Sequence, residues 1–209
     1  MSDLLMQGLN EYLDRLLPER DPILTEMEKY ALQQDFPIVG PQVGRFLYQI
    51  AFLLKPKFIF EMGSGFGYSA YWFCLGAPQA KVIYTELDPQ NIVRAKTWFK
   101  SGNRINQIIF KQGRAQDILA ESKNSFDIIF IDVDKYEYPQ AFTLALNRVK
   151  KGGIVITDNL LWYGKVISES HSDQDTLGVR QINEMLFQTE GVFSSIIPIR
   201  DGIGITIKL

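Results

Sequence analysis

The chain has 209 residues, of which 46% are hydrophobic and 22% charged, and its net charge is −2 with a pI near 5.5. This composition is typical of a globular protein with an ample core, and the acidic balance excludes a broad basic face for nucleic acid. Cys74 is the only cysteine, which excludes an internal disulfide and a thiolate metal cluster, and no apolar run approaches the ~18 residues of a membrane span. We therefore expect a cytoplasmic protein that acts on a small molecule, with neither nucleic acid nor membrane as a partner.

Three helices are predicted at the start of the chain. Apolar residues at helical spacing before Pro18 predict an amphipathic helix, and they are Leu4, Leu5, Leu9, Tyr12, Leu13 and Leu16. Asp21 and Pro22 have the N-cap and first-turn pattern of a second helix. A third helix is predicted from about 41 to 54, where Lys55 and Pro56 end it.

From Phe58 onward, predicted strands alternate with helices. The strands are 58–61, 81–86, 107–111, 127–132 and 153–158, and the helices begin near Tyr68, at Asp88-Pro89 and at Pro139. The helix from Pro139 is predicted to close at Lys150, Lys151 and Gly152. Near-continuous apolar strands separated by helices indicate a parallel sheet that is buried on both faces.

The last segment departs from this alternation. A helix at 177–188 precedes two apolar runs, 192–199 and 203–208, which flank Asp201-Gly202 and predict an antiparallel hairpin. We predict an α/β fold with a Rossmann-like doubly wound sheet, mostly parallel, with an antiparallel C-terminal strand and helices on both faces. Residues 1–209 would form one domain, with a helical extension at 1–55 and the core at 56–209.

A glycine-rich turn follows the first strand of the core. Gly63, Gly65 and Gly67 separate that strand from a helix, an order that presents backbone N–H groups to a nucleotide-like ligand. Glu86, at the end of the next strand, is placed to accept hydrogen bonds from both hydroxyls of a ribose. A dinucleotide fingerprint G-x-G-x-x-G/A would need glycine or alanine where the chain has Tyr68. A tight turn without a ligand is the alternative interpretation of the glycines.

Acidic residues end four of the predicted parallel strands: Glu61, Glu86, Asp132 and Asp158. In open α/β sheets, ligands bind outside the carboxyl ends of the strands, although such acids can also serve only as helix caps. Asp132, Asp158 and Asn159 bring hard oxygen ligands to neighbouring strands. This donor set suits Mg²⁺ first, with Ca²⁺ or Mn²⁺ as alternatives, and does not suit Zn²⁺.

Several segments of the chain resemble the cation-dependent O-methyltransferases, the family that includes catechol and caffeoyl-CoA O-methyltransferases. The resemblance is carried by EMGSGFGYSA, YTELDP, GRAQDIL, FDIIFIDVDKYEYP, GGIVITDNLLWYGKV and RDGIGITIK. Two motifs are the most characteristic, D-x-D-K starting at Asp132 and D-N-x-x-W-x-G starting at Asp158.

The resemblance implies an S-adenosylmethionine-dependent enzyme that methylates a hydroxyl of a small ortho-dihydroxy aromatic acceptor, and often a homodimer. It assigns the divalent cation to Asp132, Asp158 and Asn159, and catalysis to Lys135, as general base, and Asp132. The implied cofactor contacts are Glu61, Gly63, Ser64, Ser69, Glu86, Ala115, Asp132 and Asp134. An ion pair of Lys135 with Asp132 or Asp134 is the alternative for that lysine.

Other features of the sequence leave alternatives open. Trp162, Tyr163 and Tyr136 are candidates for the walls of a flat acceptor site. The polar segment 164–176 is either a lid or a surface loop. A nicotinamide-dependent oxidoreductase would share the glycine turn and Glu86 but gives the paired aspartate motifs no role. A non-catalytic adenosine-binding protein is the second alternative.

Overall fold

A seven-stranded sheet organises the computed structural model, which describes residues 8–209. The strands are β1 Phe58–Met62, β2 Lys81–Glu86, β3 Ile108–Gln112, β4 Phe126–Ile131, β5 Val149–Thr157, β6 Val192–Ile197 and β7 Ile203–Lys208. Their order across the sheet is β3-β2-β1-β4-β5-β7-β6. The first five strands pair in parallel, and β7 is antiparallel to both of its neighbours. The predicted fold class is confirmed.

Eight α-helices surround the sheet in the described residues. They are α1 Leu9–Leu16, α2 Pro22–Gln33, α3 Gly40–Leu54, α4 Tyr68–Gly76, α5 Pro89–Ser101, α6 Ala115–Glu121, α7 Tyr138–Arg148 and α8 Gln174–Gln188. Asp21 caps α2 by accepting from the Ile23 amide at 2.9 Å, and Asp88 caps α5 by accepting from the Gln90 amide at 2.8 Å. None of these helices combines the length and apolarity needed to cross a bilayer.

The two faces of the sheet bury alternate residues of each strand. Helices α2 to α5 pack on the face that carries Tyr84 and Phe130, and α6 to α8 pack on the face that carries Phe60 and Ile129. Helices cover both faces of these strands, so side chains that point to either face are buried. This is why the strand sequences are almost continuously apolar. Strand succession reverses between β1 and β4, and such a reversal opens a crevice at the carboxyl ends of the strands.

The N-terminal prediction is confirmed in part. Leu4 and Leu5 lie outside the described residues, whereas Leu9–Leu16 is helical with no buried residue. The second and third predicted helices are present as α2 and α3, and Lys55 ends α3 in a left-handed conformation with φ 48°.

One prediction beside the fifth strand is wrong, and one helix before the fourth strand was missed. The segment Lys150-Lys151-Gly152 does not close a helix, because α7 ends at Arg148 and β5 begins at Val149. Pairing of Val149 with Phe126, followed by a register shift along β4, draws the lysines into the strand. Helix α6 was not predicted, and its seven residues AQDILAE have no side-chain N-cap to mark the start.

Candidate active site

A cavity of about 840 Å³ lies at the carboxyl ends of the parallel strands. Its wall includes all but one of the predicted catalytic, cofactor-binding and metal-binding residues. Those in the wall are Gly63, Ser64, Ser69, Glu86, Ala115, Asp132, Asp134, Lys135, Asp158 and Asn159. The exception is Glu61, which is fully buried within β1. Predicted site residues that are up to 96 positions apart in the sequence, Gly63 and Asn159, therefore meet in one cavity because their strands are close together.

The turn from β1 to α4 depends on glycine at three positions. Gly63, Gly65 and Gly67 have φ values of 81°, 50° and 94°, a region that side chains disfavour. A Cβ atom on Gly63 would overlap the carbonyl group of Asp132. The Ser64 amide donates to the Thr85 carbonyl at 2.9 Å, which ties the turn to β2. The turn is therefore held against both neighbouring strands, and its backbone faces the cavity without side chains in the way.

Glu61 is a buried carboxylate beside this turn. Neither of its carboxylate oxygens has a hydrogen-bond partner among residues 8–209. Burial raises the pKa of Glu61 to about 7, and the nearby hydroxyls of Ser64 and Ser69 oppose that rise. A buried acid without donors is satisfied by a ligand that supplies them, and an ammonium group meets this requirement with charge as well as hydrogen bonds.

Glu86 ends β2 on the same side of the cavity. Its Oε1 atom accepts from the backbone amides of Leu87 and Asp88 at 2.9 and 2.8 Å. These bonds fix the carboxylate at the cavity wall. Ala115, which follows the neighbouring strand β3, begins α6 and is buried.

The end of the cavity beside β4 and β5 is acidic. Asp158 is only 4% exposed, and burial together with the nearby charge of Asp132 raises the pKa of its carboxyl group. The Asp158 Oδ1 atom accepts from the Asn159 amide at 2.9 Å, and Asn159 itself has a left-handed φ of 58°. Asp132 and Asp158 therefore lie close enough for each charge to affect the other.

Lys135 is the basic group at this end. Its Nζ atom lies 3.0 Å from Asp132 Oδ1 and donates to the Val133 carbonyl at 3.3 Å. The same atom lies 5.2 Å from the centre of the Tyr138 ring and 5.8 Å from that of Trp162. The alternative interpretation of Lys135, an ion pair with Asp132, is thus the arrangement found in this structure.

The side chains at this end include possible ligands for a metal ion. Within residues 8–209, no three His, Cys, Asp or Glu side chains come together as a metal-binding group. The amide oxygen of Asn159 would have to complete a set with Asp132 and Asp158. All three can offer an oxygen ligand, and a divalent cation would reduce the repulsion between the two neighbouring carboxylates. The chemistry of these residues therefore fits a hard cation.

The sequence did not indicate the contribution of the β6–β7 turn to the site. Asp201 accepts from the Asn159 side-chain amide at 3.4 Å and from the backbone amide of Tyr163. Burial raises the pKa of Asp201. Asp201-Gly202 was interpreted only as a hairpin signal, because the approach of Asp201 to Asn159 depends on the pairing of β5 with β7.

A second contribution that the sequence did not indicate is on the cofactor side. Gln116 is 3% exposed, and its side-chain amide donates to Glu137 at 2.8 Å. Glu137 also pairs with Arg114. The segment from Phe36 to Val39, between α2 and α3, lines the cavity as well. Gln116 lies in the short helix α6, and Phe36 to Val39 lie between two helices, so neither gave a periodic signal and only the tertiary fold identifies these positions.

The three predicted aromatic residues lie in the wall of the same cavity as Asp158 and Asn159. Trp162, Tyr163 and Tyr136 all border the cavity, and the first two have left-handed φ values of 45° and 53°. The adjoining segment begins as a 3₁₀ turn, Trp162–Ile167, which Arg180 holds by donating to the Val166 carbonyl at 3.0 Å. At least the first part of the segment 164–176 is therefore tethered to α8.

Comparison with known proteins gives a consistent result. The family model described as O-methyltransferase matches residues 17–209. A catechol O-methyltransferase from Niastella koreensis is 30% identical over 204 residues, which cover 94% of this chain and 92% of that protein. The O-methyltransferase from Bacillus cereus, solved with S-adenosylhomocysteine, is 25% identical with a TM-score of 0.87 and 97% coverage of both chains. The enzyme TomG from Streptomyces achromogenes, solved with S-adenosylmethionine, is 26% identical with a TM-score of 0.86 and 96% coverage of both chains.

These matches answer the two alternatives that the sequence left open. The chain is related along nearly its whole length to methyl-transferring enzymes, which favours this activity over both an oxidoreductase and a non-catalytic adenosine-binding protein. With the glycine turn, Glu86 and the acidic strand ends in one cavity, the chain belongs to the S-adenosylmethionine-dependent O-methyltransferase family.

Proposed function

We propose that this O-methyltransferase methylates one hydroxyl of a small ortho-dihydroxy aromatic acceptor and that it requires a divalent cation, Mg²⁺ in the first instance. The observation that carries the proposal is the meeting, in one cavity, of the glycine turn with an oxygen-donor group formed by Asp132, Asp158 and Asn159. The name of the Niastella koreensis relative, catechol O-methyltransferase, supports the acceptor class.

The glycine turn and Glu61 would hold the methyl donor. Bound S-adenosylmethionine supplies an electrophilic methyl group on a sulfonium. We assign its ammonium to the unsatisfied carboxylate of Glu61 and its ribose to Glu86, whose Oε1 atom is already fixed by backbone amides. Gly63, Ser64 and Ser69 would contact the methionine part, while Ala115, Asp132 and Asp134 would complete the cofactor wall. This placement leaves the acceptor end of the cavity to the aromatic substrate.

The acceptor would be activated at the opposite end. A phenol with a pKa of ~10 is mostly protonated at neutral pH, a deficit of roughly 4 kcal/mol relative to the phenolate. A divalent cation held by Asp132, Asp158 and Asn159 would lower that deficit by stabilising negative charge on the acceptor oxygens. Two adjacent hydroxyls match such a site because both oxygens can be held at once.

Lys135 would take the proton. In our scheme the Asp132–Lys135 ion pair would open when the cation and the acceptor bind, and the Lys135 ammonium would release one proton to solvent. The resulting neutral Nζ atom would then accept the phenol proton. The oxygen then forms a bond to the methyl carbon, and the electrons of the carbon–sulfur bond remain on sulfur. Trp162, Tyr163 and Tyr136 would orient the ring so that oxygen and methyl carbon are in line.

A panel of dihydroxybenzenes tests this acceptor class. Methyl transfer from labelled S-adenosylmethionine is measured with catechol, resorcinol, hydroquinone and phenol under one set of conditions with Mg²⁺. We expect catechol to be methylated and the three compounds without adjacent hydroxyls to be poor acceptors. Equal rates for catechol and resorcinol would contradict the proposal, because a site that holds two oxygens cannot treat these isomers alike.

Three further proposals concern the whole chain. We propose that residues 1–209 act as one methyltransferase domain, in which the 1–55 extension contributes Phe36 to Val39 to the cavity wall. We also propose a homodimer, because α3 exposes a stacked pair, Tyr48 and Phe52, beside the 73% exposed Leu53. Finally, we propose a cytoplasmic location, with which the buried free thiol of Cys74 is consistent.

A further inference from the structure

Arg200 occupies an unusual position at the edge of the candidate active site. It lies in the turn between β6 and β7 with a left-handed φ of 48°, two residues before Gly202, whose φ is 87°. A residue with a side chain costs on the order of 1 kcal/mol in this region, and glycine would avoid that cost. The side chain at this position therefore needs an explanation beyond the turn itself.

The guanidinium group of Arg200 reaches the segment between α2 and α3. Its Nη1 atom donates to the Ile38 carbonyl at 3.0 Å and also to the Val39 carbonyl. Gly40, with a φ of 75°, makes room for the arginine, since a Cβ atom there would overlap the guanidinium. Two left-handed backbone positions thus combine to seat one arginine.

No carboxylate lies within ion-pair distance of Arg200 in the described residues, although its charge acts on Asp158 and Asp201 from farther away. Both acceptors of its Nη1 atom are uncharged carbonyls, and Arg200 takes part in none of the ion pairs found in residues 8–209. Over the same residues, its Nε and Nη2 atoms make no hydrogen bond. These two N–H groups lie along one edge of the guanidinium, and their parallel arrangement matches the two oxygens of a carboxylate.

Arg200 borders the end of the cavity assigned to the acceptor. It shares the cavity wall with Asp158, Asn159, Trp162 and Tyr163, and it also borders a smaller cavity near Arg20 and Glu28. Three carboxylates at this end, from Asp132, Asp158 and Asp201, face two basic groups, Lys135 and Arg200. A divalent cation held at this end would add two positive charges, which favours an acceptor that carries a negative group.

We propose that Arg200 selects acceptors that carry a carboxylate, so that the preferred substrates are ortho-dihydroxy aromatic acids. The inference rests on the proposed function, since it concerns the other end of the same acceptor molecule. The free Nε–Nη2 edge binds the carboxylate, while the contacts of Nη1 with Ile38 and Val39 hold the guanidinium in place. Arg200 acts on specificity and takes no part in the transfer of the methyl group.

The test compares acids with their uncharged amides. The values of kcat/KM are measured for 3,4-dihydroxybenzoate and 3,4-dihydroxycinnamate and for the corresponding primary amides, with catechol as a reference. The wild-type enzyme is expected to prefer the acids. In Arg200→Gln and Arg200→Gly the ratio of acid to amide is expected to fall by roughly tenfold to a hundredfold, the contribution of hydrogen bonds to a charged group. The acid-to-amide ratio of Arg200→Lys is expected to lie between those of the wild type and Arg200→Gln, because lysine keeps the charge but lacks the paired N–H donors.

Lys151→Gln is the matched control for the loss of one positive charge. Lys151 is exposed and lies near the start of β5, at the opposite end of that strand from the cavity. Its acid-to-amide ratio is expected to equal that of the wild type. S-adenosylhomocysteine affinity is measured for every variant, so that damage to the cofactor site is detected separately.

Three results would overturn the proposal. A wild-type ratio near one would show that no carboxylate is recognised. Equal losses for acids and amides in Arg200→Gln and Arg200→Gly would show that Arg200 only tethers the segment between α2 and α3. A selective loss in Lys151→Gln would show that net charge is responsible. In contrast, absence of methyl transfer to any dihydroxy compound, catechol included, would contradict the proposed function itself.

Discussion

At the scale of single residues, Glu61 is the group with the most unusual environment. It is fully buried, and neither carboxylate oxygen has a hydrogen-bond partner by geometry among residues 8–209. Burial raises its pKa from 4.5 to about 7, although the nearby Ser64 and Ser69 hydroxyls oppose the rise. A raised folded-state pKa means that the folded protein prefers the protonated acid. Its contribution to stability is therefore complete below pH 4.5 and is lost as the pH rises through about 7.

Glu61→Gln is expected to remove this pH-dependent loss. The ligand-free variant should gain up to roughly 3 kcal/mol over the wild type at alkaline pH, and little at acidic pH. The same variant should bind S-adenosylhomocysteine at least roughly tenfold more weakly, because glutamine cannot pair with an ammonium. Urea unfolding across the pH range and calorimetric titration measure the two effects. A wild-type protein whose stability rises from pH 5 to pH 8 relative to the variant would contradict this account.

Lys135 is expected to affect turnover more than cofactor binding. If its Nζ atom accepts the phenol proton, Lys135→Met should lower kcat by about 10² to 10⁴ with catechol. Lys165→Met is the control, because Lys165 also lies over the Trp162 ring, at 5.4 Å, but does not border the cavity. Similar kcat values for the two variants in a steady-state assay would assign Lys135 to its ion pair with Asp132 alone.

At the scale of elements, the turn between β1 and α4 joins the cofactor site to the acceptor site. Gly63 has a φ of 81°, and a Cβ atom there would overlap the carbonyl of Asp132, the residue that begins the D-x-D-K motif. The close approach of the two strand ends therefore depends on the absence of one side chain. A change at Gly63 should disturb both halves of the site.

Gly63→Ala is best compared with Gly152→Ala. Both glycines have left-handed φ values, 81° and 76°, but nothing lies within 4 Å of a Cβ atom on Gly152. Both variants should lose about 1 kcal/mol from the backbone conformation alone. Only Gly63→Ala should lose more, because Asp132 has to move, and only it should weaken S-adenosylhomocysteine binding. Equal unfolding free energies for the two variants in urea would show that β1 and β4 do not pack as closely as described.

The sequence predicts an element well where a polar residue marks the end of an apolar run. The strand ends at Glu61, Glu86, Asp132 and Asp158 were identified because an acid ends each apolar run, and all four strands converge in the structure. Helix α6 was missed because its seven residues are too short for a clear period and have no cap.

Other contacts depend on the tertiary fold and leave no local signal. Asp201 meets Asn159, 42 positions earlier, only because β7 inserts between β5 and β6. Arg200 meets Ile38, 162 positions earlier, for the same reason. The left-handed conformations of Asn159, Trp162 and Tyr163 are likewise absent from sequence patterns, because none of these residues is glycine. The acidic residues at the strand ends were thus predictable, whereas the residues that position them were not.

At the scale of the whole molecule, the exposed apolar face of α3 predicts association. Phe52 is 57% exposed and stacks on Tyr48 at 6.2 Å between ring centres. Since the chain mass is 23.9 kDa, light scattering should give about twice that value for the wild type and the monomer value for Phe52→Glu. Leu32→Glu is a suitable control, because Leu32 is 86% exposed on α2. A monomeric wild type would contradict the proposed homodimer.

The central claim for the whole molecule is that one cavity joins a methyl donor to an acceptor held by a divalent cation. The most direct measurement is the rate of methyl transfer to catechol after removal of divalent ions with a chelator, followed by titration with Mg²⁺. Wild-type activity should vanish with the chelator and return in a saturable manner with Mg²⁺, and Asp158→Ala should not recover at the same concentrations. Full activity in the presence of chelator, undiminished in Asp158→Ala, would contradict the claim.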